Sequence, residues 1–227
     1  LADLHFLVIF HSRASMKDFR SQLLRVSIDQ HDAAAVGLDP LEDQLHDPVQ
    51  QLVRPSEEIP KLLRADIRYV SARSPVDFDG TIRQNFRKGE LWHDLRDEFG
   101  VVWSMPDKQQ LYMDISYHPL AEATLEDLAS YPFPDGADPS RFEGVREEVL
   151  DIRNNTPYAV STGIGGVIYE TCWYLRGLER WYMDMMENPA FCEALLDRVL
   201  KFWLDYYTGF MKEIGDIVDV VMIGDDL

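Results

Sequence analysis

Asp219-Val-Val-Met-Ile-Gly-Asp-Asp-Leu227 is the stretch that decides the fold. Its β-branched run predicts a buried strand, and Gly224-Asp225-Asp226 places a pair of carboxylates at the carboxyl tip of that strand. Reactive groups presented at that end are what a parallel α/β barrel offers. Upstream, Phe191, Leu195, Val199, Phe202, Tyr206 and Phe210 recur at helical spacing, which predicts one buried helix face. Asn188-Pro189 opens that helix, because proline suits a first turn, and Gly215 closes it. Before it, Val167 to Met186 reads as helix, Gly163-Ile-Gly-Gly166 as a tight loop and Tyr158 to Thr162 as a strand. Strand, helices, strand in that order predicts parallel pairing through a right-handed crossover. A further strand, Ala65 to Val70, opens on Asp66.

The remainder of the chain is less regular. Ser140 to Asn154 predicts a helix, and Thr124-Leu-Glu-Asp127 a short capped one. Gly100 to Trp103 and Leu111 to Ile115 flank Pro106-Asp107, a hairpin signal, whereas residues 71–98 read as polar loop. Asp47 to Leu63 predicts a pair of helical pieces split at Pro55, with Ser56 as an N-cap. Met16 to Ile28 suits a helix within a poorly patterned opening segment.

Lys and Arg total 22 against 40 Asp and Glu, a net charge of −18 that repels polyanions and argues against a nucleic-acid partner. No apolar run approaches the roughly 20 residues of a membrane span. Leu4 to Phe10 is short and lacks the small-residue cleavage site of a signal peptide. Cys172 and Cys192 have no CxxC spacing, which argues against a disulfide framework or a zinc knuckle within these residues and favours the cytoplasm. The chain opens on Leu1, and nothing after Leu227 covers the last strand. The expectation is an internal piece of a longer enzyme, cut near the middle of its fold.

Several phrases together resemble the uroporphyrinogen decarboxylase superfamily, which includes the heme-pathway decarboxylase and the methyltransferases acting on methylated corrinoid proteins and coenzyme M. They are Asp47-Pro-Val-Gln-Gln-Leu52 with the following Ser56-Glu-Glu58, Asp97-Glu-Phe-Gly-Val-Val-Trp103 and His118-Pro-Leu-Ala121. Leu128-Ala-Ser-Tyr-Pro-Phe-Pro-Asp135, Tyr174-Leu-Arg-Gly-Leu-Glu179, Glu187-Asn-Pro189 and Asp219 to Leu227 follow in order. The pattern is similar to the methyltransferase-like branch.

The resemblance implies an incomplete TIM (β/α)8 barrel, truncated after about its fourth strand, over residues 47–227, with a hairpin insertion near 99–116 and a poorly matched segment 1–46. The three strands above would be the second, third and fourth. The rest of the chain would be needed to close the barrel, and the piece alone is expected to be inactive. The activity implied is transfer of a methyl group between a corrinoid protein and a thiol or other small acceptor. Zinc would activate the thiolate, with ligands beyond Leu227, and the corrinoid would be carried by a partner protein. Cofactor-free uroporphyrinogen decarboxylation is one alternative, although that family's Met-Arg-Gln-Ala-Gly-Arg motif does not occur in the sequence. A non-catalytic ligand-binding homologue is another.

The candidate catalytic residues are Asp66, Asp225 and Asp226. The resemblance aligns Asp66 with an aspartate that gathers pyrrole N–H groups, while by itself it also reads as a helix-to-strand turn residue. Asp225 and Asp226 repel each other, which suits a raised pKa and an acid role; they could also bind substrate or support a metal indirectly, or else form a loop cap for the next helix. Gly163, Gly165 and Gly166 stand where a phosphate cradle would form, without the lysine of a P-loop or the GxGxxG spacing, and read better as backbone access to the barrel mouth. Trp173 and Tyr174 align near a substrate-contacting tyrosine, and both also suit a core. His118 reads as a packing or hydrogen-bonding residue.

Overall fold

The computed structural model describes residues 7–10, 45–47, 49, 52–53, 57–108, 112–165 and 167–225. In chain order the strands are β1 (Leu7–Phe10), β2 (Leu45–Asp47), β3 (Leu52–Val53), β4 (Ile67–Tyr69), β5 (Arg83–Arg87), β6 (Glu90–Arg96), β7 (Val102–Pro106), β8 (Asp114–Tyr117), β9 (Ala159–Gly165) and β10 (Val220–Gly224). The helices are α1 (Glu58–Leu62), α2 (Leu125–Ser130), α3 (Val145–Asn155), α4 (Tyr169–Arg176), α5 (Leu178–Glu187) and α6 (Pro189–Ile214), with a 3-10 turn at Pro139–Phe142.

One sheet has the order β1-β10-β9-β4. Strands β4, β9 and β10 run parallel, Tyr69 opposite Ser161 and Gly224 opposite Gly165. This is the neighbour order expected for successive strands of an α/β fold. Its far edge is different. Leu7–Phe10 pairs antiparallel with β10, Leu7 opposite Ile223, in the place where a barrel would continue with a parallel strand. The described strands form an open arc of mixed direction, and the barrel remains an expectation.

Helices cover one face of this sheet. Val70 and Val160 pack against Val145 and Val149 of α3 and against Phe202, Tyr206, Phe210 and Ile214 of α6. The face of α6 predicted from its spacing is buried throughout. Completely burying one such apolar side chain contributes roughly 1.5–3 kcal/mol, so this face is the main source of stability in the layer. A second cluster joins Val101, Leu120 and Leu128 to Cys172, Leu175, Trp181, Phe191 and Leu195. Arg176 ties that cluster together. Buried with Asp184, it donates Nε to the carboxylate at 2.6 Å and Nη1 to the carbonyls of Leu120 and Ala123, and it lies 3.9 Å from the Phe191 ring centroid.

Four readings change. Gly163 to Gly165, read as part of a tight loop, continue strand β9, because they pair in register with Met222 to Gly224. The hairpin near 99–116 belongs to a four-stranded antiparallel meander, β5-β6-β7-β8, that begins at Arg83 inside the segment read as loop. Strand β5 is Arg-Gln-Asn-Phe-Arg and largely exposed, so it lacks the apolar alternation that marks a half-buried strand. Lys88 and Gly89, at φ 50° and 83°, make the β5–β6 turn, whose positive φ values match the twist of a tight hairpin. The segment Val167 to Met186 forms two helices rather than one, because Gly177 at φ 89° breaks it where His118 packs. Of the pair of helical pieces in 47–63 only the second forms; Leu45–Asp47 and Leu52–Val53 pair as strands instead. The Met16 to Ile28 helix and the Ser56 cap lie outside the described residues.

The Thr124 capping box is present in full: Thr124 Oγ1 accepts from Asp127 N, and the Asp127 carboxylate accepts from Thr124 N. No helix among the described residues is long and apolar enough to cross a membrane.

Candidate functional site at the carboxyl ends of the parallel strands

Asp225 follows directly on β10. Its Oδ2 accepts from the backbone N–H groups of Ile168 at 2.8 Å and Tyr169 at 2.7 Å, and its Oδ1 from Glu170 at 3.2 Å. These are the unsatisfied donors that begin α4, at the positive end of its dipole. The carboxylate is therefore a cap, but for the helix after β9 rather than for one that follows it. It occupies the position a phosphate would take at the β9–α4 turn, and it ties the tip of β10 to that turn. Asp226 and Gly166 lie outside the described residues.

The glycines of β9 have a packing reason. A Cβ at Gly163 would stand 1.8 Å from the carbonyl oxygen of Met222, so only glycine lets β9 and β10 approach this closely. Gly165 pairs with Gly224 at the tip, beside Asp225. The Gly163 carbonyl accepts a hydrogen bond from the hydroxyl of Tyr69, reaching along from β4.

Phenols and a hydroxyl gather near this end. Thr162 Oγ1 and Tyr207 Oη are buried and take no hydrogen-bond partner from the described residues. Burial pushes the phenols of Tyr206 and Tyr207 well above their ordinary value, and each is raised further by neighbouring phenols, Tyr69 among them. Burial raises Tyr69 as well, partly offset by its bond to Gly163. At neutral pH these groups are protonated donors. Buried polar atoms without partners are uncommon, and each of these two hydroxyls marks a place where a water or an oxygen-bearing ligand could bond.

Asp66 is elsewhere. It precedes β4, its carbonyl accepts from Ala159 N, and its side chain is exposed. Ala159–Gly165 is 7 residues of strand, and its first and last Cα atoms are about 20 Å apart at ~3.3 Å per step, so Asp66 and Asp225 stand at opposite ends of the sheet. Arg64 at φ 55° completes the turn from α1 into β4, and Asp66 takes the helix-to-strand turn position. It cannot share a reaction centre with Asp225.

Trp173 and Tyr174 ride on α4. Their rings meet edge to face at 4.3 Å, and Tyr174 also meets Trp103 at 5.1 Å. Both pack against the second core cluster, and Tyr174 in addition lines a separate cavity of about 250 Å³ with Asp97, Trp103 and Trp203. His118 bonds the Tyr174 carbonyl through Nδ1 at 2.7 Å and holds the α4–α5 junction.

The described residues do not fit zinc. No group of three His, Cys, Asp or Glu among them is placed to hold a metal ion. Cys172 is buried, and burial pushes its thiol far above its ordinary value; Cys192 is raised for the same reason.

Sequence reasoning missed Tyr69, Thr162 and Tyr207. Tyr69 and Thr162 fell inside strand readings, and Tyr207 sits one residue from the buried helix face, so nothing in the spacing separated any of them from packing residues. Against protein-family models, curated proteins and solved structures, the chain has no match.

Proposed function

We propose that the protein is an enzyme of the uroporphyrinogen decarboxylase superfamily that transfers a methyl group to a thiol or another small acceptor. In this reading its substrate end lies at the carboxyl tips of β9 and β10. The observation that supports it best is Asp225 at the carboxyl tip of β10, capping the start of α4 next to the Gly224–Gly165 pair that ends β9. Ligands of open α/β sheets bind at this end of the strands. The resemblance of the ordered phrases from Asp47 to Leu227 to that superfamily supports the choice of family and reaction.

The proposed roles follow the geometry. Asp225 is a positioning residue, because its oxygens are engaged by backbone N–H groups and fix the start of α4. Tyr207 donates a hydrogen bond to the substrate, while Tyr69, whose hydroxyl donates to the Gly163 carbonyl, shapes the pocket. No step is routed through a metal, since the described residues do not fit one. Asp66 has no part in the site.

The full-length protein, with the rest of the chain that the barrel reading requires, is to be incubated with methylcobalamin and a panel of small thiols. Loss of the methylcobalamin spectrum with appearance of methylated thiol by mass spectrometry is the expected result. Release of carbon dioxide from uroporphyrinogen under the same conditions would select decarboxylation instead, and the absence of both products would overturn the reading. Tyr207→Phe is expected to raise KM or lower kcat without lowering the melting temperature.

A further inference from the structure

Asp97 and Glu98 are adjacent carboxylates with different surroundings. Glu98 is neutralised: Arg141, almost completely buried, donates to both of its oxygens, Nη1 to Oε1 at 3.2 Å. Asp97 is held only by uncharged donors, Val101 N at 2.9 Å, Trp103 Nε1 at 2.9 Å and the backbone N–H of Phe99. The nearest charge it responds to is that of Glu98, which has the same sign. Among the described residues no basic side chain forms an ion pair with it. Partly buried charges ordinarily find an opposite charge, and this one lacks it.

The cavity beside Asp97 has about 250 Å³ of space, and four aromatic residues, Phe99, Trp103, Tyr174 and Trp203, contribute to its wall. We propose that this cavity binds a small organic cation bearing a quaternary or fully methylated ammonium group, with Asp97 as its counter-charge. Two features select that class. Three N–H donors already engage the carboxylate of Asp97, leaving little lone-pair capacity for a primary ammonium or a metal ion, each of which binds through several direct contacts. A methylated ammonium needs no hydrogen bond; it presents an apolar surface to the rings and a diffuse positive charge to the carboxylate. The size suits a headgroup rather than a large ligand. The proposal does not rest on the methyl-transfer reading.

The test titrates the protein with choline in 0.15 M salt (about one Debye length of 8 Å, which screens loose attraction to the acidic surface). Binding is read by tryptophan fluorescence and calorimetry. Dimethylbutanol, the uncharged carbon isostere of choline, is the comparison ligand. Saturable choline binding is expected, with the isostere about tenfold weaker or more. Asp97→Asn is expected to weaken choline about tenfold and leave the isostere unchanged. Should that variant fail to fold, Trp203→Leu keeps apolar bulk while removing a ring, and is expected to weaken choline several-fold. The absence of saturable binding, equal affinity for choline and its isostere, or unchanged choline affinity in a folded variant would each overturn the proposal.

Discussion

The parallel sheet and the antiparallel meander differ in what lies behind them. Behind β4 and β9, Val70 and Val160 meet two helices and a column of aromatic residues, Phe142, Phe202, Tyr206 and Phe210, whose rings touch in sequence. Behind the meander the buried apolar residues are Leu95, Met105 and Met113, with Trp103 partly buried beside them. The meander compensates with polar pairing across its strands. Arg87 donates to Asp94, Ser104 Oγ donates to Asp94 at 2.7 Å and shares a 2.6 Å hydrogen bond with Ser116, and His93 bonds Asp107 at 2.8 Å. Apolar burial scales with area and is only weakly directional, whereas such pairs are each worth about 1 kcal/mol net and depend on geometry. The comparison assigns the rigid frame to the helix-backed sheet and a locally adjustable platform to the meander.

The largest expected effect is on the helix-backed side. Phe210 is 1% exposed and stacked on Phe142, so Phe210→Ala should cost about 3–5 kcal/mol. Urea unfolding reads it, and a loss no greater than that of a meander variant would break the comparison. Asp225→Ala comes next, at about 1–2 kcal/mol, since it removes the cap from three N–H groups at the positive end of α4. Amide exchange should accelerate at Ile168, Tyr169 and Glu170; unchanged exchange there would remove the cap assignment. Arg87→Ala should cost about 1 kcal/mol and loosen amides of β5, β6 and β7 while leaving β9 protected. Uniform loosening of both sheets would show that they unfold as one unit.

The smallest effect concerns acid. The Arg146 guanidinium, donating to both oxygens of Asp216, holds that carboxyl down to about 2. The folded value lies below the unfolded one, so the pair stabilises the fold above the unfolded value of about 3.9 and loses that contribution as pH falls through about 2. Asp216→Asn should lower stability slightly and evenly at neutral pH, flatten the acid limb of a pH-stability curve in that window, and leave stability below about pH 2 nearly unchanged. A curve unaltered below pH 4 would mean that solvent screening removes the contribution at this exposed site.

Legibility followed the same division. The α6 face, the β9 and β10 strands and the Thr124 capping box were readable because each is encoded locally, by spacing, by β-branching or by a paired cap. Strand β5 was not, because its residues carry no apolar period and its pairing with β6 is set by the turn at Lys88 and Gly89. The break at Gly177 was hidden inside a continuous helical pattern. At the site, the sequence pointed to the tip of β10 but not to what the tip does. Asp225 and the N–H groups it caps are 55 to 57 residues apart, and no local spacing records that distance.

By itself the sequence determined the acidic character of the chain, the helix-backed α/β layer, and the presence of a carboxylate and glycines at the ends of its strands. Only the tertiary structure decided which groups meet. Parallel pairing put Asp66 and Asp225 at opposite ends of one sheet, Asp225 filled the start of α4, and the turn at Asp97 left one carboxylate beside aromatic residues with no ion-pair partner among the described residues. Burial and periodicity are properties of neighbouring residues, which a sequence carries. Strand order and register bring distant residues within hydrogen-bonding reach, and those are settled only when the chain packs.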